Sequence, residues 1–156
     1  LAAENPDTLY IGIEVFPAGV GTILREIHER GIRNIRVIRY DAAEVVRWML
    51  PESSIDGFHI FFPDPWPKKK HHKRRLLNTE FLELLLEKMK PGGYLYVVTD
   101  WDDYAAQISA ACEGIEGFEN TWPIPAQSRR PATKYEKKGL AQGRQVREIY
   151  FTKKSL

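Results

Sequence analysis

The residues best suited to chemistry gather in one stretch, Pro63–Arg75, which reads PDPWPKKKHHKRR. Asp64 stands between Pro63 and Pro65. Those rings restrict the neighbouring dihedrals and remove backbone donors, so the turn is stiff and its carboxylate is aimed. A pre-aimed carboxylate suits catalysis by positioning, in which it accepts hydrogen bonds from a substrate held in one place. Trp66 offers a face on which an unpaired base can stack, or a cover for the edge of a sheet. From Lys68 to Arg75, six of eight residues are Lys or Arg, which fits either contacts to a phosphate backbone or a solvated face. His71 and His72 are adjacent and lack the spacing of a metal-binding pair, so they read as polar loop residues able to charge near an anion. No metal is implied.

Three further acids lie at comparable places. Glu14 ends the apolar run TLYIGIEV, Asp41 follows NIRVIRY, and Asp100 follows YLYVVT. In a parallel sheet, ligands bind beyond the carboxyl ends of the strands, and these acids with Asp64 would all face that edge. A strand-end carboxylate such as Glu14 can accept both hydroxyls of a ribose, or it can cap a helix. Asp41 with the amide of Ala42 can meet the edge of a purine, or Asp41 can serve as the N-cap of the helix it precedes; the two roles are compatible. A second basic segment, RRPATKYEKKG over Arg129–Gly139, reads as part of a long polar loop, Gln127–Gly143, of a length that is usually functional inside a domain.

The elements that must hold these groups follow from periodicity. Strands are expected at Thr8–Val15, Asn34–Arg39, Phe58–Phe62 and Tyr94–Thr99, the first buried on both faces. Between them, apolar residues recur at helical spacing over Gly19–Arg30, Ala42–Leu50 and Glu80–Lys90, and again over Asp102–Cys112. Asp41 and Asn78 or Thr79 can cap two of these helices, while Gly31, Pro51 and Pro91-Gly92-Gly93 stop three. Phe118–Ile124 reads as an edge strand because Pro123 and Pro125 cannot serve a central one. Arg144–Lys153 alternates well enough to be the last strand. The sum is an α/β fold: a mostly parallel sheet with helices on both faces, closed by an antiparallel C-terminal edge hairpin, in the manner of a Rossmann-like class I methyltransferase.

Composition sets the frame. The 156 residues, 43% hydrophobic and 28% charged, fit a single domain over 1–156. Apolar runs fall well short of the ~18 residues of a membrane span, and one cysteine, Cys112, excludes an internal disulfide, so a soluble cytoplasmic protein is expected. Lys68–Arg75 supply six of the 23 basic residues, leaving 17 against 21 acidic, so the positive charge is local and suits a polyanionic partner. The chain opens on Leu1, and Asn5-Pro6-Asp7 stop what reads as the end of a helix begun further upstream.

Together these stretches resemble the bacterial tRNA (guanine-N7-)-methyltransferases. The resemblance rests on GIEV and PAGVG (12–15 and 17–21), on Asp41-Ala42, on FFPDPWPKKKHHKRR (61–75), on TDW (99–101) and on RPATKYEKKG (130–139), in the family's order and over nearly the whole chain. It implies transfer of the methyl group of S-adenosyl-L-methionine to N7 of a guanine in the tRNA variable loop. It further implies that Glu14 binds the cofactor ribose, that Asp41 and Ala42 contact its adenine, and that Asp64 is catalytic and also touches the cofactor. Lys68, Asp100, Thr133, Lys134, Tyr135 and Glu136 match substrate-binding positions, and Lys70, His71, His72, Lys73, Arg74 and Arg75 match the RNA-contacting run. No metal or membrane is implied; a monomer or homodimer is expected, and the sequence does not decide between them. Two departures stand out: the family's first strand with its glycine-rich turn is absent from this chain, and Phe16 occupies a place where relatives commonly carry histidine. A tRNA-binding module without activity and a small-molecule methyltransferase are the alternatives.

Overall fold

The computed structural model describes residues 1–125, 130, 143 and 145–155. The chain divides into two units, Leu1–Leu50 and Pro51–Leu156. The first opens with a short 3-10 turn, Ala2–Glu4, followed by β1 (Tyr10–Ile13), α1 (Pro17–Arg30), β2 (Ile35–Ile38) and α2 (Ala42–Met49). β1 and β2 run parallel with Ile13 opposite Ile38. The helix joining them begins at Pro17, two residues before the expected Gly19, because a proline at the first helical position loses no useful donor. It ends on Gly31 at φ +61°, a left-handed conformation that glycine adopts without steric cost. β1 is not buried on both faces as expected: Ile11 is exposed and its neighbours in the strand are half-buried. Asn34 ties this unit's entry together, its amide donating to the carbonyls of Ala2, Asn5 and Thr8, each at 2.8 Å.

The second unit runs β3 (Ile55–Phe61), a six-residue 3-10 segment (Lys69–Arg74), α3 (Thr79–Lys88), β4 (Met89–Thr99), α4 (Asp102–Glu113), β5 (Phe118–Asn120) and β6 (Arg147–Lys153). Its four strands are ordered β3-β4-β6-β5. β3 and β4 are parallel, while β6 pairs antiparallel with both β4 and β5. The α/β class, the parallel pairing and the antiparallel C-terminal strands are those expected, with β5 at the edge; the strands hydrogen-bond in two separate sets.

Pleating sorts the side chains of β4. Leu95 and Val97 lie on one face, opposite Phe151 and Ile149 of β6, and all four are buried. On the other face Tyr96, Val98 and Tyr150 form an apolar cluster with Ile124, joined by the half-buried Phe61, Phe62 and Tyr94. α3 and α4 bring Leu82, Leu85, Tyr104, Ile108 and Cys112, all fully buried. Asn78 caps α3 as expected, its side chain accepting from the Phe81 amide at 2.9 Å. Pro91-Gly92-Gly93 does not sit in a break: α3 ends at Lys88 and these residues are part of β4, beside an irregularity in the pairing with β3. A Cβ on Gly93 would lie 2.8 Å from the Lys90 carbonyl and 3.0 Å from that of Asp56. The missing side chain is what lets the two backbones approach so closely.

Candidate active site

In the first unit, two carboxylates follow the parallel strands. Glu14 continues the β1–β2 ladder through its own amide, which donates to Ile38 at 3.1 Å. Its side chain turns toward the start of α1, where Oε1 accepts from the Phe16 amide at 3.1 Å. Gly19 leaves room for it: a Cβ there would be 2.9 Å from Glu14 Cγ. Asp41 is the N-cap of α2, with Oδ1 accepting from Glu44 at 3.1 Å. Ala42 is the first helical residue, so its amide has no carbonyl partner within the helix. Each acid thus has one carboxylate oxygen held by a backbone amide at a helix start, beyond the carboxyl end of its strand.

In the second unit the corresponding edge carries Asp64 and Asp100. The Phe62 amide extends the β3–β4 ladder by donating to Val98 at 2.7 Å, and the chain then enters the double-proline turn. Asp64 is exposed, and Oδ1 accepts from the Trp66 amide at 3.2 Å, closing a side-chain-to-backbone turn. The turn is bracketed by two non-glycine residues with positive φ, Phe62 at 51° and Trp66 at 40°. Each such residue costs on the order of 1–3 kcal/mol and persists only where its surroundings impose it.

The basic run, expected as a loop, coils into the 3-10 segment Lys69–Arg74. Backbone bonds from His71 to Lys68 at 2.8 Å and from Arg75 to His72 at 3.1 Å hold it. Lys68, Lys69, Lys70, Lys73 and Arg74 are exposed, and His71 and His72 are half-buried. Trp66 is enclosed by its own segment, edge-on to His71 with centroids 5.8 Å apart and with the Arg74 guanidinium 5.1 Å from its ring centre. Arg75 departs from the run it ends. Its side chain is 1% exposed, because the guanidinium is drawn inward by partners that satisfy it. Five donors in a planar fork would otherwise be buried at high cost.

Asp100 leaves β4 half-buried and is followed by Trp101, whose amide donates to Thr99 Oγ1 at 3.2 Å. Asp100 and Trp101 line an open concavity of about 340 Å³ with Asp102, Gly143, Gln145 and Arg147. Arg147 reaches Asp102 Oδ1 from Nε and Gln145 Oε1 from a terminal nitrogen, both at 3.1 Å. Neither Gln145 nor Arg147 carries a motif in the sequence; the structure places Arg147 at the start of β6, opposite Thr99. Thr133, Lys134, Tyr135 and Glu136 lie outside the described residues. Among the described residues no group of three His, Cys, Asp or Glu side chains could hold a metal, and no helix is long and apolar enough to cross a membrane.

Comparison with known proteins identifies the family and the fold. A family model described as a putative methyltransferase matches residues 1–149. A tRNA (guanine-N(7)-)-methyltransferase of Chromobacterium violaceum is 47% identical over 156 residues, covering 99% of this chain and 69% of the relative. That of Nitrosospira multiformis is 45% identical, covering 99% and 68%. A solved structure of a putative methyltransferase from Streptococcus mutans in complex with SAH superposes with a TM-score of 0.59 at 11% identity, covering 94% of this chain and 76% of that one, a likeness of fold. The chain belongs to the family of tRNA (guanine-N(7)-)-methyltransferases.

Proposed function

We propose that this chain catalyses methylation of N7 of a guanine in the variable loop of tRNA, with S-adenosyl-L-methionine as methyl donor, in the cytoplasm and as a monomer or homodimer. The observation that carries the reading is the junction at the end of β3, where a pre-aimed carboxylate, Asp64, leads directly into an exposed run of cations. Family membership over nearly the whole chain supports the reaction and the donor.

The residues of the first unit fit the donor's nucleoside. Glu14 offers its other carboxylate oxygen to the ribose hydroxyls, and Asp41 with the Ala42 amide, which has no carbonyl partner within its helix, offers an acceptor and a donor for the edge of adenine. S-adenosylmethionine held there would supply a sulfonium-bound methyl group. The guanine N7 lone pair would form the new N–C bond as the S–C bond breaks, leaving S-adenosylhomocysteine as the neutral thioether and the positive charge on the guanine ring. Because that lone pair is free in neutral guanine, the protein need not supply a strong base. Asp64 and Asp100 instead accept hydrogen bonds from the guanine N–H groups and offset the positive charge that the ring acquires. Lys68 contacts the substrate beside them. Lys70, His71, His72, Lys73 and Arg74 follow the RNA backbone, with log affinity falling linearly in log salt. Thr133, Lys134, Tyr135 and Glu136 complete the substrate contacts in this reading.

The test is labelled-methyl transfer by the enzyme to unmodified tRNA, followed by nuclease mapping. 7-Methylguanosine in the variable loop is expected. Label at another atom or position, or RNA binding with no transfer, contradicts the proposal.

A further inference from the structure

Arg75 ends the cationic run yet belongs to the interior, and its partners say what it does there. Nε donates to the Pro65 carbonyl at 2.7 Å, one residue beyond Asp64. One terminal nitrogen donates to Gln107 Oε1 at 2.7 Å and the other to Asp103 Oδ2 at 2.9 Å, both on α4. Asp103 and Gln107 are four residues apart and so share one face of that helix. The guanidinium also lies 4.6 Å from the ring centre of Tyr104, fully buried on the same helix, whose hydroxyl accepts from the Leu77 amide at 3.0 Å. One planar side chain therefore joins the double-proline turn to α4.

That turn needs an anchor. Phe62 and Trp66 hold left-handed conformations that local sequence does not favour, and Pro63 and Pro65 can donate no backbone hydrogen bond to stabilise it. Pro65 can only accept, and Arg75 is its donor. The fork geometry matters as much as the charge: lysine has no rigid set of donors that could reach Pro65, Asp103 and Gln107 together.

We infer that Arg75 is a positioning residue for Asp64, holding the Pro63–Trp66 turn against α4 so that the carboxylate meets the guanine in register, and that it makes no contact with tRNA phosphates. The inference rests on the function proposed above. It separates Arg75 from Lys70, Lys73 and Arg74, with which it shares a run in the sequence.

The test compares the enzyme with its Arg75→Gln and Lys70→Gln variants, measuring kcat, KM for tRNA, thermal midpoint, and the salt dependence of tRNA affinity. Misplacement of a catalytic group by about an ångström costs on the order of 100-fold, so Arg75→Gln should lower kcat by about 10- to 100-fold. Its KM for tRNA should stay close to that of the parent, and its salt slope should be unchanged. Lys70→Gln should reduce that slope by about 0.7–0.9, the loss of one phosphate contact. If Arg75→Gln does not fold, Gln107→Leu removes one anchor of the fork and should still lower kcat with KM for tRNA intact. A reduced salt slope or a raised KM with kcat preserved in Arg75→Gln would overturn the inference by making Arg75 an RNA contact. A lower thermal midpoint with undiminished kcat in the folded variant would overturn it by leaving Arg75 a purely structural role. Failure of the unmodified enzyme to form 7-methylguanosine would instead sink the function itself, and the positioning role with it.

Discussion

Asp41 and Asp64 each follow a parallel strand, and each carboxylate accepts a hydrogen bond from a backbone amide a few residues on. They are supported in different ways. Asp41 caps a helix, so its geometry comes from its own neighbours, Ala42 to Glu44. Asp64 sits in a turn bracketed by left-handed Phe62 and Trp66 and tied by Arg75 to side chains on α4, at sequence separations of 28 and 32 residues. A cap can be built from local sequence at little cost. A turn bracketed by left-handed residues needs remote partners to hold it, and the strain it carries is the sign that they are present.

The largest effect separating the two is expected at Asp64. Asparagine can accept from the Trp66 amide as aspartate does, so Asp64→Asn should retain the turn. If Asp64 faces the methylated ring as proposed, the substitution removes that charge, and single-turnover methyl transfer should slow by about 10²- to 10³-fold, as when one electrostatic group is lost from an active site. A loss of less than tenfold would place the electrostatic work elsewhere. Glu14→Gln comes next: a hydrogen bond to a charged group contributes about 1.5–3 kcal/mol, so calorimetry should find S-adenosylmethionine bound roughly 10- to 100-fold more weakly. Unchanged affinity would reduce Glu14 to the role it has toward Phe16. For Asp41 the contrast is between substitutions. Asp41→Ala should cost about 1 kcal/mol of stability through the lost cap, and Asp41→Asn almost none. Urea unfolding measures both.

Acid sharpens the comparison further, because the support of the second unit includes titrating groups. Burial holds the His59 imidazole, paired with the Tyr94 hydroxyl at 2.8 Å, below its ordinary pKa of 6.5. Its stabilising contribution is therefore complete above pH 6.5 and is lost as pH falls through the lowered folded value. A hydrogen bond from Arg75 likewise holds the Asp103 carboxyl below its ordinary 3.8, so that contribution is complete above pH 3.8 and disappears as pH falls through its folded value. Urea midpoints measured against pH should fall first below 6.5 and again below 3.8. A midpoint that rises on acidification in either window would contradict these assignments.

Much of this was legible in the sequence where one residue's local role decided the outcome. Asn78 and Asp41 read as caps and serve as caps. The order of strands and helices follows from periodicity, and each of the four acids emerges at the end of its strand. What was not legible depends on partners distant in the chain. Pro91-Gly92-Gly93 has the composition of a break, yet it lies inside β4, between the residues that pair with Ile55 and Gly57 of β3, where Gly93 permits close backbone approach. Nothing in a run of like cations marks which one turns inward, so the hydrogen bonds of Arg75 to Asp103 and Gln107 could not be read from the run itself. The i, i+4 spacing of those two residues was the available signal, but it pointed to no partner.

The central claim is that N7 of a tRNA guanine receives the methyl group while the chain supplies placement and charge. The most direct measurement is labelled-methyl transfer to two tRNAs identical except that one carries 7-deazaguanine at the accepting position, with binding of each measured in parallel. The account predicts that both bind and that only the guanine-bearing tRNA is labelled. Equal labelling of the two would contradict it.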